Sequence, residues 1–248
     1  MLELSTKQAE IREREARIVE SALPMVGQGG ISAISMDAIA EQLGVTRGTV
    51  YNHFRNKEEI VLALAILAVE QRLEVFQYAV MMRGCPRQRL AAIGIGCEFY
   101  ANAFPALLRV EYQIRHDLVW EKTSTERQEL LQNCEGRCMH TVAGVVRDAV
   151  AEGELELSDS HSVEEIVFGL WSLVHGGMLL ELTSPSLSDV GVRDARRAIR
   201  AGCNALLDGY RWHPLHDPAA YEKWIATVRK NFENFKPLTA AESMARRT

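Results

Sequence analysis

Residues 35–57 read SMDAIAEQLGVTRGTVYNHFRNK, and the fold turns on this stretch. Met36, Ile39, Ala40 and Leu43 recur at the spacing of a single buried helical stripe. Ser35 is a good N-cap for that helix, Asp37 suits its positive first turn, and Gly44 ends it. Thr46 then caps a second helix of about two turns, with Val50 and Phe54 as its inward pair. On spacing alone the two helices fit a helix-turn-helix and an αα-hairpin of a bundle equally well. The residues left outside separate these readings. They are Arg47, Gly48, Thr49, Tyr51, Asn52 and His53, a face of donors and small groups without a carboxylate to repel phosphate. A solvated helix face mixes acids with bases, so this one favours a helix that enters the DNA major groove.

Outward from this stretch, apolar residues keep helical spacing almost everywhere, and the only alternating run, residues 154–157, is too short for a strand. The chain is predicted to be all-α. Ile18, Ala22, Met25 and Val26 give the first helix one face, with a bend expected at Pro24 and an end at residues 27–30. Asn56 opens a long helix that runs to about Met82, with Glu59 at the acidic position of a capping box. Glycine, proline and serine breaks delimit further helices near 86–102, 105–118, 124–152, 162–183, 190–212 and 218–235. The tail after Pro237 is expected to fray.

Residues 16–64 resemble the N-terminal DNA-binding domain of TetR-type transcriptional regulators. The matching features are Ala22, Gly30, Ser35, Ile39-Ala40, Leu43-Gly44-Val45, Thr49-Val50-Tyr51, His53-Phe54 and Lys57-Glu58, in order and at fixed spacing. Pro24 and Val26 depart from the pattern, which bears on the path of the first helix. The resemblance implies a DNA-binding head, residues 1–56, a helical ligand-binding and dimerisation body, residues 57–235, and a flexible tail, residues 236–248. It also implies repression of a double-stranded DNA operator by a homodimer that a small-molecule effector releases. Arg47 is the candidate for direct base readout, since a guanidinium can grip a guanine edge with two hydrogen bonds. A phosphate contact by Arg47 is the alternative. Thr49, Tyr51 and His53 match positions where the family contacts DNA, Asn52 faces a base edge or solvent, and Gly48 allows close approach. Lys57 and the amides beside it suit a phosphate, as do Ser35 and Thr46 beyond their capping roles.

The resemblance places the dimer interface on residues 166–182, with Gly169, Gly176 and Gly177 permitting close approach, and on Ala195, Ile199, Cys203, Leu206 and Tyr210 of the following helix. For the effector, Arg109, Tyr112 and His116 share a face of one helix and Trp171 and His175 a face of another. Cys134, Cys138 and His140 lie at the spacing of a soft metal or redox site, yet with no further ligand cluster they read as ordinary cysteines, so neither metal nor cofactor is expected. An enzyme is not expected either, because GxGxxG, GxSxG, HExxH and Walker patterns are all missing from the sequence. The remaining alternatives are a helical ligand-binding or interaction module and an activator of the same family.

Composition sets the outer bounds. At 248 residues, 47% hydrophobic and 25% charged, the chain can bury a sizeable core. Its charged N-terminus and five cysteines fit a cytoplasmic protein with reduced thiols. The longest apolar runs, residues 60–69 and 166–180, fall short of the roughly 20 residues of a membrane span, so no membrane partner is expected. The net charge of -5 opposes DNA binding only in bulk. Residues 1–57 hold seven bases and seven acids, and residues 44–57 hold three bases and no acid.

Overall fold

The computed structural model describes residues 6–114, 117–158, 161–184 and 186–246, and among them every regular element is helical. In chain order the helices are α1 (Thr6–Gly29), α2 (Met36–Leu43), α3 (Arg47–His53), α4 (Lys57–Val80), α5 (Pro86–Ala103) and α6 (Pro105–Gln113). They continue with α7 (Asp117–Glu121), α8 (Thr125–Ala151), α9 (Val163–Thr183), α10 (Ala195–Gly209), α11 (Pro218–Phe232) and α12 (Ala240–Ala245). The chain divides into two compact units. One holds residues 1–74, 101–136 and 236–248, and the other holds residues 75–100 and 137–235.

In the first unit the core forms around the front half of α4, whose residues 60–69 are all buried. Ile18, Val19, Ala22 and Val26 of α1 are buried as well. Pro24 does not end α1: it sits on the exposed side, where the Glu20 carbonyl freed by the missing N–H is open to water. The turn after α1 is held by α6, whose Gln113 side chain accepts the Ile31 amide at 3.2 Å. The helix expected over 105–118 is shorter, since α6 stops at Gln113; Arg115 and His116 lie outside the described residues.

The tail expected to fray is instead partly helical. Thr239 and Glu242 form a capping box at the start of α12, and Ala240, Ser243 and Met244 are buried. Ser243 donates to the Glu70 carboxylate, Gln71 accepts the Leu238 amide at 2.8 Å, and Arg246 pairs with Glu74. The segment is ordered because it supplies partners to polar groups on α4, two of them, Glu70 and Gln71, buried.

In the second unit α9 packs closely on α10. A Cβ at Gly177 would come within 2.5 Å of Ile199 Cγ1, so only glycine allows this approach. A Cβ at Gly176 would meet nothing within 4 Å. α10 starts later than the expected 190, because the Asp194 carboxylate accepts the Arg197 amide at 2.8 Å and sets the first turn there. α9 has 21 residues and a mean hydropathy of 1.5 in its most apolar stretch. It is therefore long and apolar enough to cross a membrane by length and composition. The 15-residue run in the sequence missed this because the helix extends beyond it at both ends. Phe168, Leu173, Leu179, Leu180 and Leu182 of α9 are exposed.

Candidate nucleic-acid interface and effector pocket

The helix-turn-helix is built by its caps. Ser35 Oγ accepts the Ala38 amide at 3.3 Å and Thr46 Oγ1 accepts the Thr49 amide at 3.2 Å, satisfying donors that a helix start leaves open. The Ser35 cap uses its oxygen as acceptor and not its hydroxyl hydrogen, while the Thr46 and Thr49 hydroxyls share one hydrogen bond at 2.9 Å, so one of those two hydrogens is not used in it. Gly44 takes the left-handed conformation (φ 65°, ψ 31°) that turns the chain between the two helices. Ile39, Val50 and Phe54 are fully buried, so the opposite face of α3 is fixed outward. That face carries Arg47, Gly48, Tyr51 and Asn52 exposed, with Thr49 and His53 half-buried. At Gly48 a Cβ would meet only Thr46 Oγ1, at 3.8 Å, so packing does not demand glycine there and the space outside it is open.

Arg47 is oriented. Its Nε pairs with Asp37 at 3.0 Å, its Nη2 donates to the Tyr51 hydroxyl at 3.2 Å, and its guanidinium carbon lies 5.3 Å from the centre of the Tyr51 ring. The Tyr51 hydroxyl, then the Asp37 carboxylate, raise its already high pKa, so it stays a cation. The stretch from Gly44 to Lys57 lacks acids, yet the turn folds Asp37 of α2 against it; a partner ten positions back has no periodic signature.

The start of α4 is set by Asn56, whose Oδ1 accepts the Glu59 amide at 2.9 Å while its Nδ2 donates to the Lys122 carbonyl at 2.9 Å. Lys57 follows, exposed in the first turn. Glu59 does not complete the expected capping box. Its side chain, 2% exposed, accepts the Ser124 amide at 2.7 Å and pairs with Arg127 at 2.7 Å and Arg55 at 3.0 Å. Arg127 also pairs with Glu15 of α1 at 3.4 Å and lies over the Phe54 ring at 4.6 Å. One guanidinium thus ties α1, the end of the recognition helix, α4 and α8 together.

His53 carries a pH dependence. Desolvation lowers its pKa most, Glu15 raises it and Arg14 lowers it again, leaving it below the ordinary 6.5. The folded protein therefore binds fewer protons than the unfolded chain just below pH 6.5, so this group's contribution weakens stability as pH falls through that window. A DNA phosphate would favour the protonated ring. Operator affinity is therefore expected to rise as pH falls from about 7 towards the lowered pKa, and His53→Gln to flatten that rise; parallel pH profiles for the two proteins would refute the assignment.

The second unit holds an apolar pocket of about 120 Å³, lined by residues of α4, α5, α8, α9, α10 and α11. Of the five residues expected at the effector site only Trp171 lines it. Arg109 and Tyr112 are on α6 in the other unit, His116 lies outside the described residues, and His175 stacks against Trp171 without lining the pocket. Helical spacing identified faces, and the packing of the body turned other faces together. Cys134 and Cys138 are buried, with the Cys134 thiol 3.9 Å from Glu70, and no metal-binding cluster occurs among the described residues.

A capped, oriented recognition helix on an all-helical chain defines a helix-turn-helix DNA-binding protein. Residues 18–64 match the model of the tetR family of bacterial regulatory proteins. Residues 18–64 are thus a TetR-type DNA-binding domain, and the chain is a DNA-binding transcriptional regulator. It is 25% identical over 204 residues to the HTH-type transcriptional regulator TtgR of Pseudomonas putida, covering 79% of this chain and 93% of that protein. It is 23% identical over 159 residues to the fatty acid metabolism regulator protein of Bacillus subtilis, covering 64% and 79%. The structure of FadR from Bacillus subtilis in complex with stearoyl-CoA shares the fold, with a TM-score of 0.57 at 18% identity over 78% of this chain and 97% of that one.

Proposed function

We propose that the protein is a repressor that binds a palindromic operator as a homodimer in the cytoplasm and is released when a small molecule fills the pocket of the second unit. The oriented Arg47 on the exposed face of α3 carries the DNA half of this reading. The apolar pocket supports the effector half, and a related fold holding an acyl-CoA is in keeping with it. α4 is the link, since the same helix starts beside Lys57 and carries Phe76 into the pocket wall. Coupling of about 1–3 kcal/mol along it would change operator affinity roughly 5- to 150-fold.

The dimer half rests on an unpartnered apolar face. Phe168, Ser172, Gly176 and Leu179 follow one another along α9 at helical spacing, with Leu180 beside them, and Phe168, Leu179 and Leu180 are 59%, 36% and 55% exposed. On α10, Ile199 and Cys203 line the pocket, so the residues free to meet a second copy are the exposed Ala198, Ala201 and Ala205. Two copies of this helix pair form a four-helix bundle. This also accounts for the apolarity of α9 without a membrane, since both its faces are covered in the dimer.

Selection of bound fragments from random DNA tests the reading directly, and two paired half-sites are the expected product. In the same assay Arg47→Ala is expected to cost about 1–3 kcal/mol and relax preference at one base of each half-site. Lys57→Ala is expected to weaken all sequences alike and to reduce the salt slope by about 1 per half-site. An unchanged base preference for Arg47→Ala would remove direct readout from Arg47.

A further inference from the structure

The pocket combines apolar walls, among them Leu90, Leu170, Trp171 and Met178, with three arginines and a single carboxylate, Glu98. Two of the arginines are committed. Arg87 donates to the Trp212 carbonyl at 2.6 Å and pairs with Asp208 at 2.6 Å, while Arg196 Nε reaches both oxygens of Glu181 at 3.0 and 3.1 Å. Arg200 differs. Among the described residues its side chain bonds only through Nη1, to Glu98, and Glu98 is shared with Arg229 at 3.3 Å. Both side chains of the Arg200–Glu98 pair are close to nine-tenths buried. Because Glu98 divides its charge between Arg200 and Arg229, which is 54% exposed and outside the pocket lining, Arg200 is only partly neutralised at the polar end of the cavity, and an anion there would complete its pairing.

We propose that the effector is a small amphipathic carboxylate, with about six carbons of its apolar body enclosed in the pocket and its carboxylate on the unused donors of Arg200. The body is limited by volume, since a cavity of about 150 Å³ is filled by a benzene ring and this one is slightly smaller. Tyr221 lines the same end beside Asn204, and burial raises its pKa, so its hydroxyl keeps the proton that a carboxylate can accept. Burial also pushes the Cys203 thiol up to about 11, which leaves it a neutral wall group and not a nucleophile for covalent capture. The inference rests on the pocket being the effector site.

The test is calorimetric titration of the full-length protein with octanoate, octan-1-ol and octylammonium, which share one body and differ in head charge. Octanoate is expected to bind at least about tenfold more tightly than the other two. Arg200→Gln should bring octanoate down to the level of octan-1-ol, and Glu98→Gln should tighten octanoate by removing the competing carboxylate. Gain of affinity in Glu98→Gln cannot arise from misfolding, which guards against an Arg200 variant that simply unfolds. Equal binding of all three probes, or preference for octylammonium, would overturn the anionic class while leaving the pocket in place. Binding of none of them, with operator binding intact, would overturn the effector site itself.

Discussion

Phe168→Glu combined with Leu180→Glu is expected to give a monomer by light scattering and to lower operator affinity at least about a thousandfold, towards the level of non-specific binding. Both side chains are exposed on α9, 59% and 55%, so neither change opens a cavity or buries a charge within one chain, and thermal stability of the monomeric unit should hold. In the proposed dimer the glutamates would be desolvated inside the interface and brought near the like charges of the second copy. A single head makes half the phosphate contacts, so the salt slope should fall by about half as well. A double variant that remains dimeric would show that the apolar face of α9 has some other partner.

Arg127→Ala should be the most damaging single change far from the DNA face. It leaves the Glu59 carboxylate, 2% exposed, with the Ser124 amide and hydroxyl and the exposed Arg55, and it removes the cation over Phe54. Breaking a buried pair from one side costs about 3–5 kcal/mol, and the surviving partners place this case near the lower figure. For a chain of this size that lowers Tm by roughly 6–12 °C. Operator binding should weaken at temperatures where α1 and α3 lose their common anchor. Arg127→Met with Glu59→Met should recover most of the loss, because an apolar pair needs no compensating charge. If the double variant is no more stable than Arg127→Ala, the ion pair is not what the site depends on.

The DNA-reading element was legible because its determinants are local. Ser35, Thr46, Gly44 and the stripe of Ile39, Val50 and Phe54 act over a few residues, at distances fixed by helix geometry. The capping box of Thr239 and Glu242 was equally local and present in the sequence as TAAE, but polar surroundings disguised α12 as a tail. The partners of Glu59 and Glu70 were not legible. Arg127 lies 68 residues from Glu59 and Ser243 lies 173 from Glu70, and no spacing rule connects such positions.

By itself, then, the sequence determined that the chain is helical, where its reading helix starts and stops, and which side chains that helix turns outward. Only the tertiary structure decided that Asp37 and Tyr51 hold Arg47, that Arg127 anchors the head, and that Arg200 rather than Arg109 faces an apolar cavity. The physical reason is that backbone hydrogen bonds and caps join near neighbours, whereas an amphipathic stripe states only that a face is buried. Which face it meets is set by the packing of whole helices.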